Sequence, residues 1–577
     1  MPVTPSTGAA EATALVQGSA SGSLLVSTTG LSFWGGVDPQ TGVVIDQHHP
    51  LAGNRLTGKI LAVPGGRGSS SGSGALIELL LNNQAPAALI FTDPELILTL
   101  GVLVAETLFQ KSIPVLCVSE DVFGDLGSGD AVVISNGTLS VIAARSGDET
   151  ALAIPLRSDE DSPVVLQAED KRYLAGDYGK AAQVAMQIIA RMAQLQGADS
   201  LLDVTQVHID ACVYNGPSSL QVAEQLLAWG AEVKVPTTLN SISVDQQRWH
   251  SQGVEASFAT AAVRLGEVFV EMGAQRSFTC APYLLGSVPA LNQQVAWAES
   301  NAVTFANSVI GARTLKYPDF LDVCIALTGR APAIGCHTET GRMPTIVIEV
   351  EYVDSYSDAF WPLLGYHTGL LAANELPMIS GLEKIKVNQD ELKSFSAAFA
   401  TTSSTPMFHI AGVTPEAPWA LSRLRSSGVS PPVLQVSESD LAASFRELNT
   451  IDAEAVSVVA LGNPHFSLTE CETLAGLCAG RIRRPDVEIM VTMGRDIYAQ
   501  AVEAGYVERL ERFGVQFITD TCWCMIVEPV IPPGDGALMT NSAKYAHYGP
   551  GLIGRKIRFD SLVACVEVAS LPESVSV

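Results

Sequence analysis

Between Cys280 and Arg313 the chain gathers side chains able to bind and activate a small molecule. A cysteine beside Pro282 and Tyr283 opens the stretch, a loop through Gly286 and Pro289 follows, and Glu299, Ser300, Asn301, Asn307, Ser308 and Arg313 then fall within fifteen residues. So many hydrogen-bonding groups beside one acid and one base are costly to bury without partners. The stretch therefore reads either as a solvated helix end or as a site. Leu291, Val295, Ala302, Phe305 and Val309 recur at about 3.6 residues, which predicts a helix with one apolar stripe.

A second candidate lies near the N-terminus. Lys59 to Val63 reads as a buried strand, and Ala75 to Asn83 as the helix after it. Between them, Pro64 to Gly74 is a glycine- and serine-rich loop holding Arg67, Ser69 and Ser70. Free backbone N–H groups at a helix N-terminus can hold an anion. No Gly-Lys-Ser/Thr ending closes this loop, so it is not a nucleotide P-loop; a flexible tight turn is the plainer reading. Arg330 and Arg342 are candidates for gripping a carboxylate through a bidentate guanidinium. Cys336 and His337 are adjacent, and on an extended chain neighbouring side chains point to opposite faces, which argues against a metal pair there.

Those residues need a large α/β scaffold. The chain has 577 residues, 47% hydrophobic and 16% charged, with 49 glycines, which implies several domains with strands covered on both faces. The net charge of −26 argues against nucleic acid or an anionic membrane surface as partner. It leaves room for an anionic substrate held by a few local cations. The first residues lack a basic region and an apolar core of the secretory kind, and no apolar run is long enough to span a bilayer. Ten cysteines are scattered singly, Cys522 and Cys524 being closest, which suits reduced thiols in a cytoplasmic enzyme. Residues 148–165, acidic and containing proline and serine, read as a linker between a small domain (1–147) and a large region (166–577) of two or three α/β lobes. Lys180 to Gln196 is an amphipathic helix, and Ser218 to Asn240 a helix, a Gly230 cap and a strand. Leu321 to Arg342 reads as a strand with polar ends. His208, inside an apolar run, reads as a core histidine, and His409 and His465 taken alone as structural.

Several of these pieces resemble one family. Cys280-Ala-Pro-Tyr283, Trp297-Ala-Glu-Ser-Asn-Ala302 and Asn307-Ser-Val-Ile-Gly-Ala-Arg313 are similar to the signature of aconitase X, a family of iron–sulfur dehydratases distantly related to aconitase. Pro236 to Asn240, Phe408 to Glu416, Leu461 to Ser467, Asp520-Thr-Cys522 and Thr540-Asn-Ser-Ala-Lys544 carry the likeness on, from about residue 22 to 570. The resemblance implies an aconitase-like α/β fold with a small N-terminal swivelling domain. In that superfamily a Gly-x-Gly-Ser-Ser loop supplies the catalytic serine base, and here the loop reads Gly66-Arg-Gly-Ser-Ser70. Ser69 takes the base role by position, Ser70 is the fallback, and Arg67 assists the alkoxide.

The resemblance further implies an iron–sulfur cluster held by Cys280 and Cys522. A third ligand is sought among Cys565, Cys524 and Cys336, ranked in that order. Asn463 stands where some relatives have cysteine, so a 2Fe–2S cluster is expected ahead of 3Fe–4S or 4Fe–4S. Glu299, Ser300, Asn301, Arg313, His337, Thr414, Asn541, Ser542 and Lys544 fall to substrate binding by the same likeness. The reaction implied is removal of water from a small hydroxy acid. Fusion of the two parts and Asn463 point to the branch acting on cis-3-hydroxy-L-proline, with phosphorylated mevalonate or another hydroxy acid as the alternative. A cluster-containing regulatory protein, or a hydro-lyase whose cysteines are merely buried, are the competing readings. Oligomeric state is open.

Overall fold

The computed structural model describes residues 12–46, 49–66, 71–142, 152–158, 164–351, 356–428, 430–449 and 456–571. The chain divides into two compact units, one of Met1–Asp203, Asn215–Glu232 and Pro318–Ile334, the other of Val204–Tyr214, Val233–Tyr317 and Gly335–Val577.

The first unit is built on a closed barrel of eight strands: β1 (Ala12–Val16), β2 (Ala20–Val26), β3 (Ile60–Ala62), β4 (Ala88–Phe91), β5 (Val115–Val118), β6 (Ala131–Ser135), β7 (Thr138–Ile142) and β8 (Leu152–Ser158). Their order is β1-β5-β4-β3-β2-β6-β7-β8. Strands β2 to β5 run parallel, and the helices Gly72–Leu81 and Leu96–Phe109 cover the fully buried β3 and β4. Strands β6 and β7 form a hairpin whose turn residues Asn136 and Gly137 both have positive φ, the geometry that matches strand twist. Strand β8 closes the barrel, antiparallel to β7 and parallel to β1.

That last strand alters the reading of residues 148–165 as an open linker. Ala153 is exposed, Ile154 buried and Pro155 exposed again, the in–out alternation of a strand hidden between acidic flanks. The same unit contains the helices Lys180–Leu195 and Pro217–Ala228. Arg191 donates to the Leu15 carbonyl at 2.8 Å, the Ser218 amide to Glu78 at 2.7 Å, and the Trp34 indole to Asn215 at 3.0 Å.

Two further expectations change here. Residues Leu321–Thr328 form a buried helix, not a strand, ended by Gly329 at φ +70. Burial all round removed the amphipathic period that marks a helix in sequence. Only Arg330–Pro332 (β13) is a strand, antiparallel to Leu201–Asp203 (β9). Arg330 itself is committed to Asp170 at 2.7 Å, Asp203 at 2.7 Å and the Leu201 carbonyl at 3.1 Å, so no fork is left for a ligand. The serine loop, residues 67–70 with Arg67, Ser69 and Ser70, lies outside the described residues. At its start, a Cβ on Gly66 would sit 2.7 Å from the carboxylate of Glu95, which caps the Leu96–Phe109 helix and is pushed up to about 7 by burial.

The second unit holds three parallel sheets. Val207–Ile209 (β10) lies between Thr237–Leu239 (β11) and Ala296–Trp297 (β12). Ile346–Val350 (β14), Pro377–Ser380 (β15), His409–Ile410 (β16) and Val433–Val436 (β17) are ordered β16-β15-β14-β17. Val456–Leu461 (β18), Glu488–Met493 (β19), Val515–Thr519 (β20), Ala537–Thr540 (β21) and Ile557–Phe559 (β22) are ordered β20-β19-β18-β21-β22. Strand β18 reads as an unbroken apolar run because both its faces are covered: Val459 and Leu461 pack in one core, Val458 and Ala460 in another.

The stretch from Leu291 to Val309 is not one helix. It passes through a turn, the short strand β12, a helix at Ser300–Phe305 and a single π-helical turn at Ala306–Ile310. Leu291 is half exposed while Val295, Trp297 and Phe305 are buried, so the 3.6-residue spacing arose from strand and helix burial added together. Glu299 is what starts the helix, accepting the Ala302 amide at 2.8 Å.

Candidate functional site

In the second unit the C-terminal ends of parallel strands carry the polar residues, as open α/β sheets commonly do. Asp210 follows β10, and Asn240 and Ser241 follow β11. Glu299 follows β12. In the five-stranded sheet Asn463 and His465 follow β18, Cys522 and Cys524 follow β20, and Asn541 and Ser542 follow β21, leading to a helix (Ala543–Ile553) that bears Lys544.

Three thiols act on one another at this edge. The buried Cys280 accepts the His465 amide at 3.3 Å, and its thiol is pushed up to about 12 by burial and then by the charge of Glu299. Asn463 donates its side-chain amide to the Cys524 sulfur at 3.5 Å. A hydrogen bond with Cys524, with burial and the Cys524 and Cys280 charges, holds Cys522 protonated; the Ser241 hydroxyl pulls the other way. The same bond draws Cys524 down towards thiolate, aided by Lys544 and Asn463. Cys524 is thus the third thiol of the group, and Cys565 is not. Cys565 sits on the Leu562–Ala569 helix in an apolar core with Leu562 and Val566. The charges that reach it are Asp358, Asp560 and Arg558. Cys336 is spent elsewhere, its thiol facing the Gly341 carbonyl at 3.5 Å.

Beside the thiols stands a buried ion pair. Lys544 donates to Glu299 at 2.9 Å, and Glu299, then Cys524 and Cys280, hold its ammonium well above the usual lysine range. The other Glu299 oxygen is bonded by the Asn301 amide, whose nitrogen also reaches the Cys280 carbonyl at 3.0 Å. Tyr283 donates to Asn301 at 2.6 Å. Ser300 touches Glu299 at 3.4 Å. The residues from Cys280 to Asn301 are therefore one hydrogen-bonded assembly, and Lys544 belongs to it. Asn541 and Ser542 line a narrow cleft with Asn463, Lys393 and Glu470.

The remaining expected residues do not join this group. Arg313 is occupied by Asn292 at 3.2 Å, the His337 carbonyl at 3.4 Å and Glu416 at 3.8 Å. His337 uses one ring nitrogen on Gln294 at 2.6 Å and the other on Tyr317, and burial pushes it down to about 3. Thr414 is buried and exchanges hydrogen bonds with the backbone of Ile410. Arg342, read as a carboxylate clamp, is fully buried and takes Glu416, Asn307 and the Cys336 carbonyl. These groups rivet the Asn307 turn to its neighbours.

Sequence reasoning passed over Lys316, Asp210 and Ser241. Lys316 lies two residues beyond Thr314, whose hydroxyl accepts from the Trp297 amide at 3.0 Å and donates to its carbonyl at 3.1 Å. Its charge is coupled to Lys544, Glu299 and Asp210. No motif marked it; it is found only because the sheet edge brings these charges together.

Among the described residues no three His, Cys, Asp or Glu side chains form a ready metal-binding set. The donor chemistry nonetheless suits soft iron: three cysteines at one sheet edge, one drawn towards thiolate, with a lysine charge beside them.

Four family signatures match in succession: the aconitase X swivel domain over residues 9–141, the first domain over 163–340, the second over 344–446 and the third over 456–570. The chain belongs to the aconitase X family. It is 51% identical over 564 residues to a cis-3-hydroxy-L-proline dehydratase of Hypocrea jecorina, covering 96% of this chain and 94% of that one. A protein of the same name from Pseudomonas aeruginosa is 51% identical over 557 residues, covering 96% and 95%. The crystal structure of Thermococcus kodakaraensis aconitase X in its holo-form superposes with a TM-score of 0.63 at 28% identity, covering 71% of this chain and 100% of that one.

Proposed function

We propose that this chain is a dehydratase that removes water from cis-3-hydroxy-L-proline and yields Δ1-pyrroline-2-carboxylate. The observation that carries the reading is end-to-end identity of 51% with two relatives of that name. The conjunction of Cys280, Cys522 and Cys524 with the Glu299–Lys544 pair supports it. In this reaction the Cα–H bond breaks, its proton passes to a base, and the Cβ–OH bond breaks to release water. The enamine left behind gains a proton at Cβ and loses the one on nitrogen, becoming the cyclic imine.

The cofactor in this reading is an iron–sulfur cluster held by Cys280, Cys522 and Cys524, with a 2Fe–2S form ahead of 3Fe–4S and 4Fe–4S. When bound, such a group supplies Lewis acidity to the leaving hydroxyl. The chain's own residues do the rest. His465 and Asn463 fix two of the sulfurs through N–H donors. Lys544 keeps a positive charge beside them, and Glu299 holds Lys544 and Asn301 in place. Ser69 is the proton acceptor by its place in the Gly66-Arg-Gly-Ser-Ser70 loop, with Ser70 as the fallback and Arg67 stabilising the alkoxide.

A reducing, cytoplasmic setting fits ten cysteines of which none is in a disulfide. Among the described residues no helix is long and apolar enough to cross a membrane. The deciding experiment is an anaerobic assay of the purified protein on cis-3-hydroxy-L-proline and on phosphorylated mevalonate, side by side. Turnover of the second alone would overturn this reading.

A further inference from the structure

His465 is fully buried, and each of its four polar groups has a different partner. Its amide donates to the Cys280 sulfur at 3.3 Å, and its carbonyl accepts from the Lys393 ammonium at 3.1 Å. Of the ring nitrogens, Nε2 lies 2.7 Å from the Thr521 carbonyl and Nδ1 lies 3.1 Å from the Thr279 hydroxyl. A carbonyl can only accept, so Nε2 carries the ring proton and Nδ1 accepts from Thr279. The Thr279 oxygen in turn accepts the Ala281 amide at 3.1 Å, which leaves its own proton for the ring.

The two side-chain partners are the residues immediately before Cys280 and Cys522. The imidazole therefore spans the two loops that carry those thiols. Neither loop is slack where the ring meets it. A Cβ on Gly494, at the end of β19, would come within 3.1 Å of the Thr279 side chain, so the backbone there packs directly against Thr279. Asp520, just before Thr521, sits at φ +67. Arg495 holds its carboxylate at 2.9 Å, and the Ile242 amide holds its carbonyl at 2.7 Å.

An apolar side chain of similar size would fill this space, and the hydrogen bonds of a buried ring largely offset the cost of desolvating it. What the ring supplies beyond packing is geometry: two nitrogens at a fixed separation in a rigid plane, which sets the spacing of whatever they bridge. We infer that the imidazole of His465 is a positioning residue, a strut that fixes the Cys280 loop against the Cys522 loop and so presets the spacing of the two sulfurs. The inference rests on the cluster reading above. It goes beyond the amide contact with Cys280, which a residue with any other side chain at 465 could make through its backbone.

The test uses His465→Leu, Thr279→Val, Thr279→Ser and the double variant Thr279→Val/His465→Leu, all as full-length protein. The first readout is the rate at which anaerobically purified protein releases iron to a chelator. His465→Leu should release it about 10- to 100-fold faster than wild type, the range for a lost partner of metal ligands. Thr279→Val should release it about 10-fold faster, the worth of one hydrogen bond, and Thr279→Ser, which keeps the hydroxyl, near the wild-type rate. The double variant should be no faster than His465→Leu, because both changes break one bridge. The second readout is labelling of cysteines by iodoacetamide after the iron is removed, followed by peptide mass spectrometry. Cys280 should label faster in His465→Leu and Thr279→Val. Cys471 and Cys565, in the apolar core of the same sheet, should keep their wild-type rates. Unchanged iron release and Cys280 labelling in His465→Leu would overturn the inference. So would an equal rise at Cys280, Cys471 and Cys565, which marks a histidine that only fills the core. Should His465→Leu not fold, the Val and Ser variants of Thr279 decide by the same two readouts. A wild type that carries no iron would sink the cluster reading alone, since the labelling of Cys280 against Cys565 still decides the strut.

Discussion

The backbone amide of His465 donates to the sulfur of Cys280 at 3.3 Å across 185 residues of sequence. Such a bond stabilises sulfur as its negative charge grows. It also joins the Cys280 loop to the loop after β18, where Asn463 reaches Cys524. Cys280→Ala, Cys522→Ala and Cys524→Ala should each lose iron and visible absorbance after anaerobic purification. Cys565→Ala should retain both, and lower stability only by the small cost of deleting one buried sulfur. Full iron in the Cys524 variant, or its loss in the Cys565 variant, would return the third ligand to Cys565.

The contrast between Cys524 and Cys565 also marks what could be read without coordinates. Cys280, Glu299 and Asn301 stand out by residue type and density of polar neighbours, whereas Cys522 and Lys544 are reached only through the family resemblance. The barrel was not, because closure depends on β8 pairing with both β1 and β7, and pairing partners leave no mark in a single strand. Arg313, His337, Arg342 and Thr414 look like ligand-binding residues in sequence. For Arg313, His337 and Arg342, partners such as Glu416 and Gln294 are distant in the chain and come into contact only through folding, while Thr414 is taken up by the nearby Ile410 backbone.

The Glu299–Lys544 pair makes a stability prediction of definite sign. Both side chains are nearly buried, so Glu299→Gln leaves an ammonium without its counter-charge. That single change should destabilise the protein by about 3 kcal/mol. Adding Lys544→Met should recover much of the loss, since the double variant buries no charge. Denaturant titration of the two variants checks this; additive losses would show that the two residues are not coupled.

His208 offers a pH readout. It is fully buried, bonded through one nitrogen to Thr238 at 2.8 Å, and burial pushes it down to about 3. In the unfolded chain it titrates at about 6.5. Above that value both states are neutral and the group contributes no pH dependence. As pH falls below it the unfolded state takes up a proton that the folded state refuses, so stability is lost. His208→Gln should remove this component. The stability difference between wild type and variant should be flat above about pH 6.5 and change by about 1.4 kcal/mol per pH unit below it. Parallel curves down to pH 4 would show that His208 is not held neutral.

Ser69 is tested through hydrogen exchange. If it accepts the α-proton, Ser69→Ala should lower kcat by about 10²- to 10⁴-fold, the range for a lost general base. KM and iron content should stay near wild type, since a serine in that loop holds neither carboxylate nor cluster in this reading. Exchange of the α-hydrogen with solvent deuterium should be lost in step with kcat. Near-normal exchange would remove the role from Ser69, and Ser70→Ala would then be the variant to measure.

The division between small domain and large region is tested by where the chain tolerates a break. The Thermococcus chain is matched along its whole length by 71% of this chain, so that relative's chain spans only part of this one. Strand β8 decides where the cut must fall. A break after residue 147 would hand β8 to the large piece and leave β1 and β7 each without a barrel neighbour, exposing unpaired strand edges that invite aggregation. A break after Asp161 keeps all eight strands together. The two pieces then retain the Arg191–Leu15, Ser218–Glu78 and Trp34–Asn215 bonds as a means of reassociation. Co-expressed halves cut after Asp161 should therefore co-purify and dehydrate substrate, whereas halves cut after residue 147 should yield an insoluble small piece. Equal behaviour of the two cuts would mean that β8 is not needed to close the barrel, and insoluble halves from both would argue against a domain boundary between residues 148 and 165.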